Sequence, residues 1–229
     1  MKVKMESIPT PVVVFDLDGT LVDSAPAITV SVNWLISRYG AVPFSVAQVR
    51  SFMGRGIEMV VKDALIQSGI ANQLSFDDAF PTFMAHHIDN GPSSIHPWKD
   101  VDQALTTLQK SGVRLALCTN KLAILTYPLL QTLGWQNMFD RVICGDTFTV
   151  RKPNPLPLIA AVGERTRRAV FVGDTTIDLE TANAAKIPCI IMDPANLLIM
   201  PRRAKMKILN SFRDLPSHVL KLLRTDIGK

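Results

Sequence analysis

Hydrophobic positions change their spacing along the chain, and these changes predict where strands and helices lie. From residue 95 onward, apolar runs of strand length alternate with segments of helical spacing. This alternation is typical of βαβ units and predicts a parallel sheet covered by helices. The predicted strands are residues 113–118, 142–144, 169–172 and 189–192, and the predicted helices are residues 101–110, 123–133, 155–162, 177–185 and 215–223.

The apolar run at residues 12–15 predicts a further strand, and two acidic residues follow it. Three valines and a phenylalanine lead without polar interruption into Asp16 and Asp18, as expected for a strand buried on both faces of a parallel sheet. Ligands of open parallel sheets bind outside the carboxyl ends of the strands. Because Asp18 lies one side-chain period after Asp16, we expect both carboxylates to face the same crevice.

Residues 24–95 show helical spacing and no strand pattern. Ser24 and Ser75 are candidate helix caps, Ser45 and Gln48 form a possible capping box, and Pro81 could break a helix that ends near residue 90. A segment of this length is too long for a loop. We therefore expect an α/β core domain made of residues 1–23 and 96–229, a parallel-sheet Rossmann-like core, with an all-helical cap domain of residues 24–95 inserted into it.

Composition narrows the class of protein. The chain has 229 residues, of which 47% are hydrophobic and 20% charged, as expected for a globular protein. No apolar run approaches the roughly 18 residues that a membrane span needs, and the charged start of the chain lacks the pattern of a signal peptide. We therefore expect a cytoplasmic protein without a membrane partner. The cysteines and histidines lack the spacing of a disulfide framework or a zinc site.

The formal net charge of +5 is compatible with nucleic acid, an anionic small molecule or no specific partner. The basic clusters at residues 165–168 and 202–207 are short and carry no interleaved aromatic residues that could stack on bases. We therefore expect no nucleic-acid partner. The sequence does not indicate the oligomeric state.

Three polar segments follow later predicted strands and should share one sheet edge with the first two acids. Thr119 and Asn120 offer a hydroxyl and an amide suited to phosphoryl oxygens, and Lys152 stands in a proline-rich segment that would hold its charge in place. Asp174 and Asp178 lie four residues apart at a strand-to-helix transition, a spacing that can place both on one face. Each segment taken alone also fits a turn, a loop or a helix cap.

Taken together, the segments resemble the four motifs of the haloacid dehalogenase-like hydrolases, most closely those of the phosphoglycolate phosphatase-like branch. The string Asp-Leu-Asp-Gly-Thr-Leu-Val-Asp-Ser at residues 16–24 is similar to the first motif, and Thr119 stands where the second would be. Lys-Pro-Asn-Pro-Leu-Pro-Leu at residues 152–158 resembles the third motif, and Gly-Asp-Thr-Thr-Ile-Asp at residues 173–178 resembles the fourth. The resemblance extends from residue 12 to about residue 192.

The resemblance implies Mg2+-dependent hydrolysis of a small phosphomonoester, phosphoglycolate or a similar organic phosphate, through an aspartyl-phosphate. Crowded carboxylates also need a hard divalent cation on electrostatic grounds. Asp16 would be the nucleophile, and Asp18 would protonate the leaving alkoxide and later activate water. The metal ligands would be Asp16, the backbone carbonyl of Asp18, and Asp174, with Asp178 in support. The phosphoryl contacts would come from Thr119, Asn120 and Lys152.

Arg55 is the best-placed cation of the predicted cap. It lies in the loop Met53-Gly54-Arg55-Gly56 between two predicted helices, and its guanidinium could bind a substrate carboxylate by two parallel hydrogen bonds. If the cap closes over the crevice as a lid, we expect Arg55 to contact the substrate. The alternative is a surface arginine between helix ends.

Other activities of the same superfamily stay open. Carbon–halogen cleavage releases no alkoxide and so needs no acid to protonate one, and the presence of Asp18 therefore argues against it. Asp18 also argues against phosphonate cleavage, because the enzymes of the family that catalyse it lack this second acid. A β-phosphoglucomutase-like mutase and a pyrophosphatase or nucleotidase remain alternatives, as does a catalytically inactive binding module in another class. The segment after Met192 departs from the usual phosphoglycolate phosphatase pattern, which leaves the substrate open.

Overall fold

The computed structural model describes residues 10–91, 94–164, 166, 168–196 and 207–225. Its strands are β1 (Val12–Phe15), β2 (Val22–Asp23), β3 (His96–Pro97), β4 (Arg114–Cys118), β5 (Arg141–Ile143), β6 (Ala169–Gly173), β7 (Cys189–Met192) and β8 (Lys207–Leu209). Its helices are α1 (Ala25–Ser37), α2 (Val46–Phe52), α3 (Ile57–Gln67), α4 (Phe76–Asn90), α5 (Val101–Lys110), α6 (Ala123–Thr132), α7 (Leu156–Val162), α8 (Thr176–Ala185) and α9 (Leu215–Thr225). None of these helices has the length and apolar character needed to cross a membrane. The two basic clusters named above lie partly outside the described residues.

A six-stranded parallel sheet in the order β5-β4-β1-β6-β7-β8 forms the centre of the molecule. β1 lies between β4 and β6, with Val14 opposite Ala116 on one side and Phe171 on the other. The Asp16 amide continues this pairing by donating to the Val172 carbonyl at 2.9 Å. The loops that follow β1, β4 and β6 therefore meet at one edge of the sheet, and the predicted α/β fold class is confirmed.

Helices cover both faces of the sheet, and the side chains of β1 alternate between them. Val13 and Phe15 pack with α5, α6 and α9 in one hydrophobic cluster, whereas Val12 and Val14 pack with α7 and α8 in another. All four side chains are fully buried. Burial of an apolar side chain of this size contributes about 1.5 to 3 kcal/mol, so β1 is a rigid support for the acidic loop that follows it.

The helices α1 to α4 form their own hydrophobic cluster, which we call the cap. Its core includes Val32 and Ile36 of α1 and Phe83 of α4, and Leu125 of α6 reaches it from the α/β core. The chain enters the cap after β2 and leaves it before β3, and these two short strands pair antiparallel. The two connections are thus adjacent. We propose on this basis that residues 24–95 are a domain inserted into the α/β core.

The described elements differ from the predicted ones at α4, at β8 and at the two-residue strands β2 and β3, which the sequence did not predict. Pro81 lies inside α4 without breaking it, because Ala79 and Phe83 are buried in the cap and their packing offsets the missing backbone hydrogen bond. The sequence did not predict β8, since three residues are too short to show a hydrophobic period. Its pairing with β7 makes it one of the two edge strands of the described sheet.

Candidate active site

A narrow crevice lies between the carboxyl edge of the sheet and the cap. The loops after β1 and β4 supply its polar lining, which consists of Asp16, Asp18, Thr119, Asn120 and Lys121. The apolar lining consists of Ile28, Met53, Gly54, Gly56, Ile57 and Val60 of the cap and Leu125 of α6. The space between them is about 40 Å³. A crevice of this volume suits a ligand of few atoms.

Asp16 lies at the end of β1, and its carboxylate is nearly buried. Lys152 Nζ lies 2.8 Å from Asp16 Oδ1 and 2.6 Å from Asp178 Oδ1, so one ammonium contacts two carboxylates. Burial raises the pKa of Asp16 to about 6, against the lowering effect of Lys152. Burial would lower the pKa of Lys152, but the charges of Asp16 and Asp178 together hold that pKa above its ordinary value. Lys152 is therefore a fixed positive charge beside the predicted nucleophile.

Thr119 and Asn120 both follow β4, but their side chains have different partners. Asn120 Nδ2 donates to the carbonyls of Gly54, at 2.9 Å, and Lys152, at 3.0 Å, and its Oδ1 accepts from the Lys152 amide at 3.1 Å. Asn120 thus joins two loops, and both hydrogens of its Nδ2 are already donated, which leaves none for the phosphoryl oxygen that we expected it to contact. Thr119 Oγ1 accepts from the Lys121 amide at 3.1 Å, which leaves its hydroxyl proton to donate to a phosphoryl oxygen.

Asp174 and Asp178 stand at the start of α8. Asp178 Oδ2 accepts from the amide and the hydroxyl of Thr175, at 3.0 and 2.7 Å, and Thr175 Oγ1 accepts from the Asp178 amide. These bonds form a capping box. Asp174 Oδ1 accepts from the Thr20 hydroxyl at 2.7 Å. The approach requires Gly19, whose φ is +85° and where a Cβ would overlap Asp174.

Among the described residues, Asp16, Asp174 and Asp178 form the group that could hold a metal ion, with oxygen atoms within 4.8 Å of one another. Burial and the neighbouring carboxylates raise the pKa of Asp174 well above its ordinary value. A divalent cation would supply the positive charge that these buried groups lack, so the donor set fits one. Both oxygens of Asp178 already bind Lys152 or the start of α8. Asp16 and Asp174 are therefore better placed as direct ligands.

Asp18 forms an ion pair that sequence reasoning missed. Lys121 Nζ lies 3.0 Å from both carboxylate oxygens of Asp18. The Lys121 side chain is 4% exposed and that of Asp18 is 20% exposed. The signal that could have identified Lys121 is its position directly after Thr119 and Asn120, at the end of a predicted strand.

Arg55 lies outside the lining of the crevice. Its side chain is half-exposed and pairs with Asp63 of α3. Met53, Gly54 and Gly56 of the same loop line the crevice instead. Gly54 and Gly56 both have positive φ, and this lets the backbone of the loop approach the core while the Arg55 side chain contacts α3. In this arrangement the guanidinium of Arg55 is paired with Asp63 and does not line the crevice, so its contact with a substrate carboxylate stays a prediction.

Comparison with known proteins identifies the family. Residues 13–192 match the model of a family described as haloacid dehalogenase-like hydrolase. The chain belongs to this family. The phosphoglycolate phosphatase of Agrobacterium fabrum (strain C58) is 32% identical to this hydrolase over 79% of each chain. That of Cereibacter sphaeroides (strain ATCC 17025) is 38% identical over 76% of this chain and 81% of its own. The predicted superfamily and its phosphoglycolate phosphatase-like branch are thus confirmed.

Solved structures share the fold of this hydrolase. A predicted phosphoglycolate phosphatase from Haemophilus somnus 129pt superposes with a TM-score of 0.77 at 22% identity, covering 93% of this chain and 99% of that chain. CbbY from Rhodobacter sphaeroides, crystallised in complex with phosphate, superposes with a TM-score of 0.72 at 19% identity, covering 90% of this chain and 96% of that chain. At these identities the likeness concerns the fold alone.

Proposed function

We propose that this hydrolase is a Mg2+-dependent phosphatase that cleaves phosphoglycolate, or a similarly small phosphomonoester, through an aspartyl-phosphate. The observation that carries the proposal is the buried carboxylate of Asp16, 2.8 Å from Lys152, in a crevice that also contains Asp18 and Thr119. The relatives named phosphoglycolate phosphatase, at 32% and 38% identity, support the substrate class. The substrate in this proposal is a small phosphorylated metabolite, and the protein acts in the cytoplasm.

The binding of the phosphoryl group follows from donors that are already oriented. Asp16 would attack phosphorus while Lys152 and Thr119 bind the equatorial oxygens, over which the charge of the transition state is spread. Asp178 fixes Lys152 and the Lys121 amide fixes Thr119, so neither donor has to reorganise during the reaction. A bound Mg2+ would neutralise charge on the phosphoryl oxygens and orient the group for in-line attack.

Asp18 would carry the proton in both half-reactions. It would protonate the leaving alkoxide when Asp16 attacks, and it would accept a proton from the water that hydrolyses the aspartyl-phosphate. Both oxygens of Asp18 contact Lys121 in the structure. Asp18 must therefore turn away from Lys121, or share it, before it can act on the substrate.

Metal removal and substitution of Asp16 test the proposal. The purified protein should hydrolyse phosphoglycolate and an aryl phosphate, lose both activities with a chelator and regain them with Mg2+. Asp16→Asn should lower kcat by about 10³-fold or more, as expected when a nucleophile is removed, and should abolish the phosphate label that acid quenching traps on the protein.

Asp63→Asn is the matched control, because Asp63 pairs with Arg55 outside the crevice lining. This variant should keep its activity and its phosphate label. Turnover that persists in Asp16→Asn would refute the covalent route. With a sugar phosphate as substrate, transfer of the phosphate to another hydroxyl of the sugar, in place of its release, would indicate a mutase.

A further inference from the structure

Lys121 carries the one positive charge among the described residues that line the crevice. Its side chain is 4% exposed, and its ammonium lies 3.0 Å from both oxygens of Asp18. The backbone at this position is fixed, because the Lys121 amide donates to Thr119 Oγ1 at 3.1 Å and the Lys121 carbonyl accepts from the Gly145 amide at 2.8 Å. The ammonium can therefore change its partner only by side-chain rotation within the crevice.

This ion pair conflicts with the role proposed for Asp18. Lys121 holds both oxygens of Asp18, so Asp18 has to turn away from the ammonium, or share it, before it reaches a leaving oxygen. If Asp18 simply turned away, a buried ammonium would be left without an anion, which is strongly unfavourable. The pair can open at low cost only when another anion takes the place of Asp18 at Lys121.

The carboxylate of phosphoglycolate is an anion that can replace Asp18 at Lys121. Its carboxylate carbon is two bonds from the oxygen that leaves phosphorus. A cation that binds this carboxylate must therefore lie next to the acid that protonates the leaving oxygen, and Lys121 does so through its contact with Asp18. Arg55 pairs instead with Asp63. The cap lines the crevice with apolar groups and glycines, which offer the carboxylate no competing charge.

We propose that Lys121 determines the substrate class by exchanging Asp18 for a substrate carboxylate placed two bonds from the leaving oxygen. The exchange lets Asp18 turn toward that oxygen, so a substrate with this second anion both binds Lys121 and releases the acid. A phosphomonoester without the anion leaves Asp18 held by Lys121. The inference rests on the proposed phosphatase function and adds the residue that recognises the substrate.

Steady-state kinetics with three matched esters tests this exchange. Phosphoglycolate, phosphoglycolamide and ethyl phosphate share a primary alkoxide leaving group and differ in carrying a carboxylate, a neutral amide or neither. The wild-type protein should prefer phosphoglycolate. Lys121→Met should lower that preference, expressed as a ratio of kcat/KM values, by about 10- to 100-fold, the effect of one charged hydrogen bond. Arg55→Met, the matched control, removes a cation from the cap outside the crevice lining and should leave the ratio unchanged.

Binding of 3-phosphonopropionate gives a second measurement that does not depend on turnover. This analogue of phosphoglycolate has a methylene group in place of the bridging oxygen and cannot be hydrolysed. Asp18→Asn removes the carboxylate that competes for Lys121, so the Mg2+-loaded variant should bind the analogue about 10-fold more tightly than the wild type. The double variant Asp18→Asn/Lys121→Met should lose this gain, and it leaves no buried charge unpaired. Propylphosphonate, which lacks the carboxylate, should bind all three proteins equally.

The outcomes separate this inference from the function on which it rests. Equal losses on all three esters in Lys121→Met, or an unchanged affinity of Asp18→Asn for 3-phosphonopropionate, would overturn the role of Lys121 and leave the phosphatase function standing. A wild-type protein that hydrolysed none of the esters would refute the proposed function, and the inference with it.

Discussion

Gly19 sets the contact between the two loops that carry the predicted metal ligands. Its φ is +85°, and a Cβ at this position would overlap Asp174 Oδ2. The next residue, Thr20, donates its hydroxyl to Asp174 Oδ1. Because Gly19 and Thr20 follow Asp16 so closely in the chain, their contacts with Asp174 fix the distance between Asp16 and Asp174. At the scale of one residue, this glycine therefore determines the geometry of the donor set.

Gly19→Ala should lower kcat/KM for phosphoglycolate by about 100-fold, because Asp174 must move by about 1 Å to admit the methyl group. The variant should also need more Mg2+ for half-maximal activity. Gly112→Ala is the matched control: Gly112 has φ +75°, but nothing lies within 4 Å of a Cβ built there. It should lose about 1 kcal/mol of stability to backbone strain and keep its activity. Equal losses of activity in the two variants would show that strain, and not the overlap with Asp174, explains the effect.

Sequence alone could locate most of the site but not the partners of its side chains. The acids and Lys152 follow predicted strands, and parallel strands end at one edge, so their proximity was predictable. The position of Lys121 at this edge was predictable in the same way, but its contact with both oxygens of Asp18 depends on the direction of the side chain, which no sequence spacing encodes. The direction of Arg55 depends on the backbone angles of Gly54 and Gly56. The sequence therefore could not show that the Arg55 side chain pairs with Asp63 and lies outside the crevice lining.

Among the described helices, α2 and α8 begin with the same local motif, but only the start of α8 contacts the charged groups around Asp16. Ser45 and Gln48 form an exposed capping box at the start of α2. Thr175 and Asp178 form the other at the start of α8. Asp178 also accepts a hydrogen bond from Lys152 Nζ at 2.6 Å. The start of α8 therefore both stabilises a helix and positions a charge beside Asp16.

Thr175→Ala and Ser45→Ala should separate these two roles. Each removes one cap side chain and should lower the free energy of unfolding by about 1 kcal/mol, measured by urea denaturation. Thr175→Ala should also lower kcat by about 10-fold, because Asp178 loses a hydrogen bond that fixes it against Lys152. Ser45→Ala should leave kcat unchanged. If Thr175→Ala lost stability and kept full kcat, the position of Lys152 would not depend on the start of α8.

The sequence predicted which of the long segments are helices and which are strands. The features that it did not predict are short strands or depend on packing. Apolar runs identified β4 and β6, the two strands next to β1, because a strand buried on both faces is apolar throughout. β8 has one exposed, one half-buried and one buried residue, a pattern too brief to distinguish from a loop. Pro81 favours a helix break when judged alone, and only the buried Phe83 of the same helix shows why α4 continues.

Polar contacts between described residues of the whole molecule join the cap to the α/β core. Arg151 of the core contacts Glu58 of α3 at 2.7 Å, and Asn120 donates to the carbonyl of Gly54 at 2.9 Å. Burial would raise the pKa of Glu58, but the hydrogen bond and charge of Arg151 outweigh it and lower that pKa. The pair is thus charged at neutral pH. These contacts depend on how the cap sits over the core, and the sequence could not predict them.

A double-mutant cycle on Arg151 and Glu58 tests whether this pair holds the cap closed. Arg151→Met and Glu58→Gln should each raise KM for phosphoglycolate by about 2- to 5-fold, because a partly exposed ion pair contributes about 0.5 to 1 kcal/mol and its loss favours the open cap. The double variant should show no further loss, which gives a coupling energy of the same size. Arg114 and Asp140 are the matched control, since this pair, at 3.7 Å, lies at the opposite end of β4 from the crevice. Its cycle should show no coupling in KM. If instead the KM effects of Arg151→Met and Glu58→Gln multiplied in the double variant, the two residues would act independently and the cap would be held by other contacts.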